Sequence, residues 1–552
     1  MRILTPLFLT VAACAVASAQ EHGHAGHHSS QTADVPLYDN LGSLHREIAT
    51  DVPLAQRYFD QGLRLSYAFN HAEAIASYRQ AAELDPACAM CYWGIAWALG
   101  PNINGAMDSA SGAAAYEAAR RALQLIDHAS PGGQALIQAM AARYGSDPMA
   151  HRKALDSTYA SAMNQVASRY PDDPEAQVLH AEALMLLSPW DYWTNDKQPR
   201  QGTETLLGRV TSVIERNPDH PGACHFYIHA VEAAYPERAV SCAERLATLM
   251  PGAGHLVHMP GHIYIRVGRY VDAIRANEHA VHADETWIQD RRPGVGVYTA
   301  GYYPHNYDFM AFAASMAGRS RQAIEAADRV ASLVPADMLQ EPGMTFLQQF
   351  LTRPLQMRIR FGRWEEILRT PAPAEALPHA RALWHYSRGR ALAARDDVPG
   401  AEAELAHVRA AIEDPALQGV TLEFNKATAV LRIAAEVLAG NIAVARGEIE
   451  PAIGHLREAA RLEDELVYGE PPEWSVPVRH ELGAALLAAG RPEAAEAVYR
   501  EDLDRFRRNG WSLYGLAKAL EAQGRDEEAK HAMDEFRSAW RNADVELSAS
   551  GF

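Results

Sequence analysis

The segment GHLVHMPGHIYIRVGRY, Gly254 to Tyr270, places His255, His258 and His262 within eight residues. Shortly before it, HFYIHAVEA carries His225 and His229, with Glu232 three positions further on, and His305 and Asp308 follow later. Side chains four apart on a helix lie one turn above each other, so His225/His229 and His258/His262 can each offer two nitrogens to one ion. A single interior histidine is more commonly just hydrogen-bonded, but two such pairs and a fifth ring favour a metal. The spacing predicts a ligand set of His225, His229, His258, His262 and His305, of which three or four bind. His255, Asp308 and Glu232 are additional donors. Histidine-rich ligation without cysteine suits a transition metal ion such as Cu, Zn or Fe. An open coordination position would acidify water for hydrolysis or, on a redox-active ion, bind oxygen. HExxH, GxSxG and Walker loops are absent, so no familiar motif selects a reaction.

The elements that position these rings are visible as a repeat. Gly62, Ala74, Tyr78, Ala81 and Pro86 follow each other at spacings of 12, 4, 3 and 5. The same rhythm returns at Tyr227, Ala239, Ala243, Leu246 and Pro251, at Gly261, Ala273, Asn277 and Ala280, and at Gly483, Ala495 and Tyr499. It resembles the tetratricopeptide pattern, two antiparallel helices in about 34 residues. Small residues let paired helices approach, an aromatic fills the gap, and proline ends the second helix. The expected fold is therefore all-α: a continuous right-handed α-solenoid of tetratricopeptide-type helix pairs over residues 51–544. Loop insertions break the period near 100–112, 284–304 and 413–428, and 545–552 forms a tail.

The blocks YAFNHAEA, CAMCYWG, GPNIN, PWDYW, HFYIHAVEA, HLVHMPGHIYIRVGRY and EPPEW together resemble a family of exported bacterial tetratricopeptide-repeat proteins. The resemblance implies the fold and export, and it directs attention to the concave wall of the first helices. Counted from Gly261, that wall carries His255, His258, His262 and Ile265; counted from Ala311, it carries His305, Asp308, Phe312 and Ser315. His225 and His229 fall one step off the stripe when counted from Tyr227. Pro260 is expected to open its helix, leaving His255 and His258 on its entry loop rather than on a full turn. Tyr264, Arg266, Tyr303, Trp190 and Asp191 are candidate groove residues; the PWDYW block stacks a ligand or plugs a loop.

Outside the array, MRILTPLFLTVAACAVASAQ reads as a signal peptide over residues 1–19, with VAAC at Cys14 as an alternative lipid-attachment site. Residues 20–50 form a disordered histidine-rich segment containing EHGHAGHH. Periplasmic or secreted placement follows. No later run reaches the roughly 20 apolar residues of a membrane span, and no transmembrane segment is expected. With a formal charge of −18 and no basic block, the chain would repel a phosphate backbone, which argues against a nucleic-acid partner. Cys88 and Cys91, spaced C-x-x-C, read as small core residues, with a redox pair or half a metal site as alternatives. The composite expectation is an exported scaffold that binds a protein, peptide or small-molecule ligand in its groove and carries a histidine-lined metal site. The competing expectation is a metal-dependent hydrolase or oxidoreductase using the same groove.

Overall fold

Helix succeeds helix from Pro53–Tyr67 to Asp526–Ala539, each packed chiefly on its sequence neighbours. Starts are set locally: Asn70, Asp108, Ser130 and Asp173 cap with their side chains, and proline opens Pro174–Met185, Pro221–Val231 and Pro492–Arg505. A computed structural model describes residues 35–147, 149–341 and 344–551, so the predicted signal peptide and residues 20–34 of the histidine-rich segment lie outside the described residues, whereas within 35–50, expected to be disordered, Leu41 and Ile48 are buried and Arg46 pairs with Asp173. Among those described, the only β pairing consists of isolated bridges such as Asn102 with Gly105. The chain is an all-α solenoid, compact as one unit over Leu37–Phe552.

The repeat anchors work by contact. Tyr78, fully buried on His71–Leu84, lies where a Cβ at Gly62 would come within 2.7 Å of its ring and a Cβ at Gly94 within 2.4 Å. Tyr499 is held in the same way between Gly483 and Gly515, at 2.3 and 2.2 Å. Only glycine leaves room for an aromatic wedge between successive helix pairs.

Two features depart from the sequence expectation. Pro260 opens Pro260–Arg266 as expected, but the residues before it are not a loop: Gly254–His258 is already helical and Met259 keeps right-handed helical angles into Pro260. His255, His258 and His262 therefore share one nearly continuous helix, whose ladder still closes from Met259 N to His255 O at 3.1 Å. The insertion at 284–304 is also largely helical, because Tyr270–Arg291 runs on past Asp284 and a π turn at Tyr298–Tyr302 leads into Tyr303–Met316.

Contacts across large sequence distances fold the array onto itself. Arg46 meets Asp173 and Glu175, and Arg291 meets Glu73. Trp511 donates to Ser315 O, while Asp544 accepts from the Ser320 and Arg321 amides. The inner face is consequently buried rather than an open trough. Among the described residues one helix, Ala427–Ala445, is long and apolar enough to cross a membrane, and 67% of its apolar window is buried inside the molecule.

Candidate metal centre

Helix Pro221–Val231 presents His225 and His229, Gly254–His258 presents His255 and His258, Pro260–Arg266 presents His262, and Tyr303–Met316 presents His305. Five of these rings are at most 3% exposed, and His305 is partly buried. The rings fall into two groups of three, His225/His229/His255 and His258/His262/His305, with ligand atoms inside each group no more than 4.8 Å apart, and a third group of the same compactness, His229/Glu232/His262, takes one ring from each. Each of the first two is one i, i+4 pair plus one ring from a following helix. The cystine Cys224–Cys242 ties the first of these helices to Val240–Leu249, and a second cystine joins Cys88 to Cys91.

The outward-facing nitrogens fix the state of the inward ones. His225 Nδ1 lies 2.7 Å from the carbonyl of Tyr67, which can only accept, so that Nδ1 carries the proton. Asn277 donates its amide N–H to Ala273 O at 2.8 Å, which leaves its Oδ1 to accept from His258 Nδ1 at 2.6 Å. Glu232 Oε1 faces His229 Nδ1 at 3.2 Å. Neutral rings protonated at Nδ1 point bare Nε2 lone pairs inward, the arrangement of metal-ligating histidines with outer-sphere acceptors.

The lone pairs of His225 and His229 face each other, and the other rings of the centre stand nearby. His225 Nε2 is 3.1 Å from His229 Nε2 and 3.1 Å from His255 Nε2, and His258 Nε2 is 2.8 Å from His262 Nε2. Tetrahedral zinc bonds of 2.0–2.1 Å set nitrogens about 3.3 Å apart. Burial drives His225, His255 and His258 well below the ordinary histidine value, with neighbouring rings adding to the effect. His305 falls to about 3 through burial and then His262. His262 moves the other way, to about 10: burial opposes its charge, but Glu232 and Glu470 outweigh it. Burial would raise Glu232, yet His262 and His229 hold it at about 2. His262 Nδ1 stands 2.7 Å from Glu232 Oε2 and 3.3 Å from Glu470 Oε2, ion-pair distances at which none of the three atoms makes a well-aligned hydrogen bond.

Aromatic rings close each group. Phe69 lies 4.6 Å from His225 and 5.2 Å from His255, and Phe309 lies 4.5 Å from both His258 and His262. Trp190 meets His229 at 4.8 Å. Phe69 and Trp190 have φ of 55° and 65°, a left-handed conformation that costs a bulky residue about 1–2 kcal/mol. Such strain clusters at functional sites.

The other predicted residues are dispersed. Asp308 is paired with Arg353 at 2.9 Å rather than joined to the nitrogens. Tyr264 packs under Arg269, and Tyr303 donates to Glu285. Trp190, Asp191 and Arg266 line a cavity of about 330 Å³ that also reaches Trp193, Tyr468 and Glu470. Its wall thus includes the carboxylate beside His262. Sequence reasoning missed Phe69, the Tyr67 carbonyl, Asn277, Phe309 and Glu470 as parts of the centre. Tyr67, Phe69 and Glu470 lie in the blocks YAFNHAEA and EPPEW, but nothing in one dimension joins those blocks to the histidines, and Asn277 and Phe309 stand in no block that the sequence singles out for the centre.

A tetratricopeptide-repeat family model matches residues 55–88, the first helix pair of the array. Among curated proteins none matches the chain. Among solved structures, the Cut9–Hcn1 hetero-tetramer of the APC/C is 11% identical, covering 88% of this chain and 76% of that one, with a TM-score of 0.32. The human IFIT1 dimer with m7Gppp-AAAA is 14% identical over 90% of this chain and 91% of that one, with a TM-score of 0.31. The chain therefore contains a tetratricopeptide repeat within an all-α solenoid, a class of scaffold that commonly holds proteins or peptides.

Proposed function

We propose that this protein is an exported tetratricopeptide-type scaffold built around a histidine-ligated transition-metal centre of Cu, Zn or Fe. The reading is carried by one observation: Nε2 lone pairs of neutral, buried rings converge at 3.1 Å, with their Nδ1 protons already committed elsewhere. Two lone pairs at that distance repel unless a cation lies between them. The cavity bordered by Trp190, Arg266 and Glu470 favours a small-molecule ligand over a peptide laid along an open groove, because the groove stripe itself is buried. That cavity also supports a second reading, in which the metal acts on the ligand as a hydrolase or oxidoreductase.

The test is metal content per chain, measured by inductively coupled plasma mass spectrometry on protein lacking residues 20–30, so that the EHGHAGHH tract cannot contribute. Stoichiometric metal is expected, together with its loss in the His258→Ala/His262→Ala double variant. A metal-free parent protein after loading with Zn, Cu and Fe in turn would sink the reading.

A further inference from the structure

We infer that the centre holds two metal ions, one bound by His225, His229 and His255 and the other by His258, His262 and His305. The inference rests on the proposed metal reading and divides it. Its basis is Glu232, which sits between the groups: Oε1 faces His229 Nδ1 at 3.2 Å and Oε2 faces His262 Nδ1 at 2.7 Å. In an imidazole, the N–H or lone-pair directions at Nδ1 and Nε2 diverge widely. Two rings that turn their Nδ1 atoms toward one carboxylate must send their Nε2 atoms apart. His229 Nε2 accordingly meets His225 Nε2, whereas His262 Nε2 meets His258 Nε2. One ion cannot collect both sets.

The groups are nevertheless neighbours, since the rings of His229 and His262 lie 5.4 Å apart and those of His255 and His258 lie 5.9 Å apart. Each has its own apolar backing, Phe69 for the first and Phe309 for the second. Three nitrogens leave each ion with at least one open position, the pattern of reactive rather than purely structural sites. Two adjacent ions of this kind take a small oxygen ligand such as hydroxide.

Cobalt(II) titration of the full protein lacking residues 20–30 reads the count directly, since tetrahedral cobalt absorbs in the visible. Absorbance is expected to rise to two equivalents. His255→Ala and His305→Ala should each reduce tight binding to one equivalent, and the double variant should abolish it. Circular dichroism confirms that each variant is folded; should a variant fail, the two-equivalent endpoint of the parent decides. A parent endpoint of one equivalent would overturn the inference while leaving the metal reading intact, and an endpoint of zero would overturn both. Loss of both ions from either folded single variant would overturn the division into two groups.

Discussion

Glu232 is the residue on which the centre's geometry turns, because it is fully buried and serves a ring in each histidine group. Glutamine at this position keeps the shape but removes the charge, and its amide can accept from only one of the two rings. Outer-sphere partners of metal-bound histidines typically contribute 10–100-fold in affinity. Glu232→Gln is therefore expected to weaken zinc binding by about that factor in competition with a chelator, with its far-ultraviolet circular dichroism unchanged; equal affinity would show that Glu232 does not orient ligands. Histidines away from the centre supply a separate pH effect. Burial lowers His379 to about 4, and it lies 2.8 Å from Gln349 Oε1. A histidine depressed in the folded state binds its proton only on unfolding, so its contribution is complete above about 6.5 and declines as pH falls toward 4. Metal-free protein should show a falling Tm over that window, and His379→Gln should flatten part of the slope. A Tm in the variant that falls as steeply as in the parent would contradict this.

At the scale of elements, much was legible because a tetratricopeptide array repeats its contacts at fixed intervals. Gly62, Tyr78, Gly483 and Tyr499 were recognisable as anchors, and each is found at a close helix approach. The two i, i+4 histidine pairs were legible for the same reason. Pro260 marked the start of Pro260–Arg266 but hid the turn before it, because the missing N–H of a proline costs little where Gly254–His258 is already closed by neighbouring bonds. The grouping of His255 with His225 could not be read at all, since it depends on how two helices pack rather than on spacing within either. The anchors provide a paired test. In Gly94→Ala the added methyl would overlap the Tyr78 ring, so a loss of about 1–3 kcal/mol is expected despite alanine's better helix propensity. In Gly454→Ala, inside helix Ile449–Asp464, the methyl meets nothing within 4 Å, so a gain of about 0.5–1 kcal/mol is expected. Urea unfolding of both variants checks the opposite signs; a stabilising Gly94→Ala would mean that Tyr78 is free to move aside.

For the molecule as a whole, the centre acts as a joint between distant parts of the chain. It combines the Tyr67 carbonyl and Phe69 with rings from His225 to His305 and with Glu470, whose carboxylate lies beside His262. Without a cation, these parts meet through stacked aromatics and facing lone pairs, a junction that opposes its own closure. With one, every part bears on shared ions, and binding to the folded state alone adds about 4 kcal/mol at a thousandfold excess over Kd. An array stabilised mainly between neighbours would spread little of that gain to repeats outside the joint. Chelation should therefore lower Tm and speed amide exchange in the helices Pro53–Tyr67 and Pro221–Val231, which meet at His225 and Tyr67. Exchange in Pro492–Arg505 and Asp526–Ala539, which contribute no group to the centre, should change little. Hydrogen–deuterium exchange with mass spectrometry, run with and without bound zinc, distinguishes this from a uniform shift. Equal acceleration in all four helices would mean that the ion stabilises the fold globally and that the joint has no local character.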